Sequence, residues 1–277
     1  MLTPTAELVH AAQAANSAVA AFNVITVEHA EAIAEAAETT GHPVILQLSQ
    51  NAVAYHRGAA AIAAACREIA RTSTAALALH LDHVEDVELL HQAADLGVGS
   101  VMFDASTLPE RENIAATRAA ADWAHRHGLW VEAELGEIGG KSSAHTPGVR
   151  TDPAEASRFV AATGVDGLAV AVGSSHAMVQ RRAELDLELI DRLHAAVLVP
   201  LVLHGSSGVP DETLRAAVSH GMVKINVGTL LNIAFTGAVR AALTQRPELV
   251  DPRRYLGPAR TATAEVVAQA IRVISEL

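Results

Sequence analysis

The chain has 277 residues and a mass of 28.8 kDa; half of the residues are hydrophobic but only 3% are aromatic. The apolar mass is therefore Ala, Val, Leu and Ile, which suits helices packed on a buried sheet and excludes intrinsic disorder. A formal net charge of −11 excludes general binding to nucleic acid or to an anionic membrane, since both need a field of the opposite sign. The single cysteine, Cys66, excludes an internal disulfide framework and a cysteine-built metal site, and in its Ala-rich surroundings it reads as a small buried hydrophobe. No basic stretch followed by an apolar core marks the start of the chain. The longest clean apolar run, 195–203, is far short of the ~20 residues of a membrane span. A cytoplasmic protein with no membrane partner is expected.

In chain order, a helix is expected over 2–16, ahead of the first strand at 19–24. A helix follows over 28–40 and a strand over 44–48. After the Ala-rich stretch around Cys66 come a strand over 75–81, a helix over 84–96, a strand over 99–103 and a helix over 110–127. The fifth strand, 129–135, runs into a Gly- and Ser-rich segment, 136–152, which breaks the regular spacing and reads as a lid hinged on Gly136, Gly139 and Gly140. Then follow a helix over 153–163, a strand over 167–172, a helix over 186–196, a strand over 199–203, a helix over 211–220 and the eighth strand over 223–227. A helix over 229–243 and a C-terminal helix over 257–277 complete the chain. Each strand is nearly continuous in apolar residues, as in a parallel sheet covered by helices. Eight strand–helix units in this length predict a (β/α)8 TIM barrel with an extra N-terminal helix and a C-terminal helical extension, one domain over 1–277. The competing doubly wound sheet lacks its Gly-rich turn here, because the first strand ends Phe22-Asn23-Val24-Ile25-Thr26.

In such a barrel the chemistry sits at the C-terminal ends of strands. The third strand ends His80-Leu81-Asp82-His83, and the fifth carries Glu132-Ala133-Glu134. Gly173-Ser174-Ser175-His176 follows the sixth, the seventh ends Leu203-His204-Gly205-Ser206-Ser207-Gly208, and the eighth gives Lys224-Ile225-Asn226-Val227-Gly228-Thr229. Three histidines on three strand ends, His83, His176 and His204, are the nitrogen set of a catalytic Zn²⁺ with one open position. Chance is the competing reading, since the chain holds 14 histidines and no local spacing motif joins these three. Strand alternation turns Asp82 and His83 to different directions, so either could face the metal and the other the substrate. The turns at Gly205, Ser206, Ser207, Gly208, Gly228 and Thr229 suit an oxyanion at a helix start, or else plain turn chemistry.

Together these strings, with Ser100-Val101-Met102-Phe103-Asp104-Ala105-Ser106 and Asp251-Pro252-Arg253-Arg254-Tyr255-Leu256-Gly257-Pro258-Ala259-Arg260, resemble the class II, zinc-dependent ketose-bisphosphate aldolases, the family of the fructose- and tagatose-bisphosphate enzymes. The resemblance runs almost end to end. It implies metal-dependent, reversible aldol cleavage of a ketose 1-phosphate or 1,6-bisphosphate to dihydroxyacetone phosphate and an aldehyde. It implies Zn²⁺ on His83, His176 and His204, Asp82 exchanging a proton with the hydroxyl on the acceptor carbon, and Glu134 and Asp104 as secondary metal-site or supporting carboxylates. A second divalent or monovalent cation is a further expectation. Asn23, Ser49 and Asn226 match substrate-contacting positions, with Asn226 among the catalytic residues. Gly205, Ser207, Gly228 and Thr229 match the phosphate cradle, and Arg253, Arg254 and Arg260 are candidates for the far-end anion across a subunit boundary. A homodimer or homotetramer is implied.

The chain departs from the family pattern in two places. The lid carries Lys141-Ser142-Ser143 where the family has an acidic pair, so that Glu137 or His145 is the candidate for the donor-carbon proton. Ala177-Met178-Val179-Gln180 replaces the family's Gly-x-Tyr-Lys, and Arg181 and Arg182 follow. A sulfonate or carboxylate in place of the far-end phosphate, and a 2-deoxy-5-keto-gluconate phosphate substrate, are alternative readings. A non-catalytic metal-binding barrel and a zinc hydrolase on the same fold are further alternatives; the hydrolase is disfavoured because the first strand offers Asn23 and no histidine pair.

Overall fold

A strand with both faces apolar must be covered on both, and here a closed barrel does so. In the computed structural model, which describes residues 1–135, 149–175 and 180–276, eight parallel strands pair in chain order and the eighth pairs with the first. They are β1 (Val19–Asn23), β2 (Val44–Ser49), β3 (Leu77–Val84), β4 (Ser100–Phe103), β5 (Trp130–Leu135), β6 (Gly167–Val170), β7 (Leu201–Leu203) and β8 (Met222–Val227). The helices are α1 (Thr5–Ala14), α2 (Val27–Thr40), α3 (Gln50–Tyr55), α4 (Ala60–Thr72), α5 (Val87–Leu96), α6 (Glu110–Arg126), α7 (Pro153–Thr163), α8 (Leu187–Ala196), α9 (Asp211–Ser219), α10 (Thr229–Gln245) and α11 (Arg253–Ser275). The fold is the expected (β/α)8 barrel. Among the described residues no helix is long and apolar enough to cross a membrane.

Alternation divides each strand between two environments. Leu46, Leu48, Leu79, Leu81, Val101 and Phe103 belong to the large core between sheet and helices, with Ile33 of α2, Cys66 of α4, Leu90 of α5 and Ile271 of α11. The other face fills the barrel. Its floor is Val19, Ala21, Ile45, Ala78, Trp130 and Val223, closed by Leu8 and Val9 of α1. In a chain so poor in aromatics one large ring does much of this filling. A Cβ at Gly167 would lie 2.5 Å from the Trp130 indole, so β6 yields its side chain there to the ring on β5. Further along the strands the interior becomes polar: Gln47 on β2, His80 on β3 and Glu132 on β5, each two residues past a floor residue, and Lys224 on β8, next to Val223 where the register with β7 shifts, are all fully buried.

Several ends fall two or three residues short of the expected bounds, as in α1, β6 and β7, and three places differ more. β3 runs on to Val84, which pairs with Phe103, so that α5 starts only at Val87, behind an Asp86 side chain that accepts from the Glu88 amide. α3 and α4 occupy the crossover around the Ala-rich stretch. α11 begins at Arg253 and runs through Pro258 rather than beginning at Gly257. A helical proline forfeits a hydrogen bond at a cost of about 3 kcal/mol. Burial of Ala259, Val267, Ile271 and Ile274 on the same helix offsets it, at roughly 1.5–3 kcal/mol for each large aliphatic side chain.

Candidate active site

The decisive local feature is the end of β3. Regular alternation would send His83 outward behind Leu79 and Leu81. Instead His83 has φ +49°, and the register with β4 shifts between Leu81 and Val84. A left-handed backbone costs a residue with a Cβ about 1–2 kcal/mol, and a bulge re-aims the side chain it carries. The result is that neighbours Asp82 and His83 both face the barrel mouth, where alternation alone allowed only one of them. The His83 ring centroid lies 4.9 Å from that of His204, and its Nδ1 is 2.9 Å from Asp104 Oδ2. Asp104 is itself fixed, since its Oδ1 accepts from the Ser106 hydroxyl at 2.7 Å and amide at 3.2 Å.

His204 closes β7 and is fully buried. Its Nε2 is 2.8 Å from Glu132 Oε1, and its Nδ1 is 3.8 Å from Glu134 Oε2. A proton on Nε2, donated to Glu132, puts the lone pair on Nδ1. A proton on His83 Nδ1, donated to Asp104, puts that lone pair on Nε2. Carboxylates that orient imidazoles in this way are the usual support of a metal-binding histidine. Glu132 is in turn held by Lys224, whose Nζ lies 2.8 Å from Oε2, 2.8 Å from Gln47 Oε1 and 2.7 Å from Asn226 Oδ1.

Two donor sets form here, Asp82 with His83 and His204, and His83 with Asp104 and Glu134; within each set the donor atoms lie within 4.8 Å of one another. Among the described residues four carboxylates, Asp82, Asp104, Glu132 and Glu134, are buried at this end of the barrel with one buried lysine, Lys224, which pairs with Glu132. Burying that excess of negative charge is costly without a cation. Imidazole with carboxylate is also the donor chemistry of Zn²⁺ and similar divalent ions. The residues present therefore fit a divalent cation.

Of the substrate positions, Asn23 ends β1, and its Nδ2 donates to Asp82 Oδ2 at 3.4 Å. Ser49 ends β2 as the register partner of Asp82, and its Oγ accepts from the Ala52 amide, capping α3. Asn226 ends β8, its carbonyl oxygen accepting from the Ser206 hydroxyl. Gly205, Ser207, Gly228 and Thr229 come together where the turn after β7 meets the start of α10. There the Ser207 hydroxyl accepts from the amides of Gly228 at 3.3 Å and Leu230 at 3.2 Å, tying loop to helix. Gly205 has φ +67°, and a Cβ on it would lie 2.5 Å from the Ser175 carbonyl carbon, so only glycine lets the loop after β6 come against His204's neighbour.

The arginines stand elsewhere. Arg253 pairs with Asp251, and Arg260 with Glu31 on α2 at 2.8 Å; both pairs are exposed, as is Arg254. Arg181 is engaged by Asp211 and the Val209 carbonyl. His176, Glu137, Lys141, His145 and the three hinge glycines, with the lid segment up to residue 148 and the stretch Ala177-Met178-Val179, lie outside the described residues.

The residues 3–276 match the family model for class-II fructose-bisphosphate aldolases. This chain belongs to the class-II fructose-bisphosphate aldolase family. It is similar to the YdjI aldolase from Escherichia coli K12, with 32% identity over 99% of this chain and 97% of that one and a TM-score of 0.86. It is also similar to a putative fructose-1,6-biphosphate aldolase from Coccidioides immitis, with 28% identity over 98% and 95% of the two chains and a TM-score of 0.86. Fructose-bisphosphate aldolase from Campylobacter jejuni shares the fold at 22% identity, covering 97% and 93%, with a TM-score of 0.82. The protein is accordingly an aldolase, a lyase that breaks and makes carbon–carbon bonds, of a family that is in general metal-dependent.

The aldolase site contains a layer that the motif strings passed over as support: Gln47, His80, Glu132 and Lys224. The signal was present in the sequence. Each lies two positions before a mouth residue on its own strand, Ser49, Asp82, Glu134 and Asn226, and so shares its face.

Proposed function

We propose that this aldolase, acting as one barrel domain over 1–277 in the cytoplasm, reversibly cleaves a ketose 1-phosphate or 1,6-bisphosphate, or an analogue with another terminal anion such as a sulfonate, to dihydroxyacetone phosphate and an aldehyde. The observation that carries the reading is the re-aimed His83, brought beside His204 and Asp82 by a strained backbone. His83, His204 and His176 would hold Zn²⁺, with Glu134 and Asp104 supporting it or holding a second cation; Ser175, which precedes His176, has its backbone against Gly205 beside His204. The cation supplies a Lewis acid that offsets negative charge on the donor oxygens.

The protein groups do the rest. Asp82 takes the hydroxyl proton from the acceptor carbon during cleavage and returns it during condensation. Asn23, Ser49 and Asn226 hydrogen-bond the substrate oxygens at the rim. The turn at Gly205 and Ser207 with the α10 start at Gly228 and Thr229 holds the donor phosphate, where the helix dipole favours an anion. Arg253, Arg254 and Arg260, exposed on α11, would serve the far-end anion in a neighbouring subunit of a homodimer or homotetramer, the guanidinium fork suiting a phosphate, sulfonate or carboxylate.

The test combines purified protein and Zn²⁺ with dihydroxyacetone phosphate, alone and with aldehydes bearing phosphate, sulfonate, carboxylate or no charge. The expected result is hydrogen exchange at the hydroxymethyl carbon without any aldehyde, and condensation favouring an anionic aldehyde. Absence of both exchange and condensation would overturn the proposal.

A further inference from the structure

Beneath the mouth, two chains of hydrogen bonds, one wholly buried and one half-buried where it passes Asn23, rise toward the two oxygens of Asp82. In the first, Lys224 Nζ donates to Gln47 Oε1 at 2.8 Å, Gln47 Nε2 donates to Asn23 Oδ1 at 3.2 Å, and Asn23 Nδ2 donates to Asp82 Oδ2 at 3.4 Å. The direction is forced at the ammonium, which can only donate, so each amide in turn presents its oxygen backward and its NH2 forward. In the second, Thr5 Oγ1 on α1 lies 2.6 Å from Ser100 Oγ, and Ser100 Oγ lies 2.7 Å from His80 Nδ1. His80 Nε2 then stands 4.0 Å from Asp82 Oδ1, a charge–dipole contact longer than a hydrogen bond; both atoms are buried, and neither has a hydrogen-bond partner among the described residues.

Only one arrangement of this second chain gives both hydroxyl protons an acceptor and sets a donor, not a lone pair, toward the Asp82 carboxylate. Thr5 donates to Ser100, Ser100 donates to a bare His80 Nδ1, and His80 carries its proton on Nε2, facing the Asp82 carboxylate. The reverse order sets a bare Nε2 against a carboxylate oxygen, two acceptors face to face, and leaves the Thr5 hydroxyl proton without an acceptor. Polarised chains of this kind strengthen along their length in a low-dielectric interior.

We propose that His80 and Gln47 are positioning residues that lock the Asp82 carboxylate plane, one oxygen addressed through each chain, so that a single lone pair faces the substrate hydroxyl. The inference rests on the reading of Asp82 as the proton carrier at the acceptor carbon. It places no new group on the substrate. It assigns the barrel's polar middle layer to the proton step, and the floor helix α1 to the end of one relay.

The test has two arms on the full-length protein with Zn²⁺. Long-range ¹H–¹⁵N spectra of histidine-labelled protein read the His80 tautomer, without any substrate. Kinetics then compare cleavage of fructose 1,6-bisphosphate with hydrogen exchange into dihydroxyacetone phosphate, a step that does not use the acceptor hydroxyl. Variants are Ser100→Ala, Gln47→Leu, His80→Phe, His80→Gln and Asp82→Asn. The expected tautomer carries its proton on Nε2. Because a misplacement of about 1 Å costs up to ~100-fold, cleavage kcat should fall about 10-fold in Ser100→Ala and Gln47→Leu and about 100-fold in His80→Phe. Exchange and KM should stay within about twofold, and His80→Gln, which restores an N–H donor, should regain most of the loss. Three results would overturn the inference: a proton on Nδ1, cleavage and exchange falling together, or unchanged cleavage in Ser100→Ala, Gln47→Leu and His80→Phe while Asp82→Asn is impaired. Unaltered cleavage in Asp82→Asn would instead sink the underlying assignment of Asp82. The tautomer and the Ser100→Ala arm decide the matter even where His80→Phe fails to fold.

Discussion

Glu132→Gln is the change whose consequence the structure fixes most tightly. Glu132 sits fully buried between two donors: Oε1 lies 2.8 Å from His204 Nε2, and Oε2 lies 2.8 Å from Lys224 Nζ. A carboxylate offers an acceptor to each. An amide of the same shape has one oxygen and one NH2 group, so whichever way it is flipped, one buried donor meets another donor. The substitution also leaves the Lys224 ammonium buried without its counter-charge, at 0% side-chain exposure. Breaking a buried ion pair on one side costs about 3–5 kcal/mol. At roughly 2 °C per kcal/mol for a chain of this size, the apparent Tm should fall by about 6–10 °C. Zn²⁺ affinity should fall about 10- to 100-fold, because His204 loses the carboxylate that sets its tautomer. Thermal unfolding of the metal-free protein reads the first effect, and titration with Zn²⁺ reads the second. The double variant Glu132→Gln with Lys224→Met removes the stranded charge and should recover part of the stability but none of the affinity. A single variant that melts within about 2 °C of the wild type would refute the reasoning, since Lys224 and Glu132 could not then be a buried charged pair.

Three further outcomes follow from the same geometry. Gly205→Ala must carry a Cβ at φ +67° into the Ser175 backbone 2.5 Å away, and should cost at least ~2 kcal/mol in a melting experiment and weaken metal binding; a neutral result in both would mean that the loop after β6 yields freely. Burial pushes the pKa of His29 down, against a smaller upward pull from Glu28, so His29 stays neutral in the fold while the unfolded chain takes up a proton below about pH 6.5. Its contribution is fully present above that pH and is lost as the pH falls; stability measured by urea unfolding should decline by up to ~1.4 kcal/mol per pH unit below it, more gently in His29→Gln, and parallel curves would contradict the account. Cys66 is buried, and its thiol is pushed up to about 12, so it should resist alkylation in the native protein and react only as fast as the chain opens; rapid labelling of folded protein would contradict that placement.

The barrel was legible because period and composition agree. β-branched runs alternate with Ala-rich helical stretches eight times, and the observed strands fall within a residue or two of those runs at most ends. β3 was the exception for a physical reason: Asp82 and His83 read as the polar end of a strand, yet they continue it through a bulge. The same two residues show the limit of patterning in the site. Alternation permits one of them to face the mouth, and only a left-handed φ at His83, which no residue type announces, lets both do so. The buried layer was half legible. Its members share a face with the mouth residues two positions later, but a lone glutamine or histidine in an apolar strand does not declare its partner. Lys224 shows this best. It lies 92 positions from Glu132 in the chain and 2.8 Å from it in space, a pairing that exists only once the barrel is closed.

The central claim is that His83, His176 and His204 share one divalent ion. Calorimetric titration of chelator-stripped protein with Zn²⁺ tests it directly. The account predicts one tight site per chain, abolished or severely weakened by His83→Ala, by His176→Ala and by His204→Ala alike, with aldol cleavage lost on stripping and restored by the same equivalent of metal. A titration left unchanged by any one of the three substitutions would contradict it.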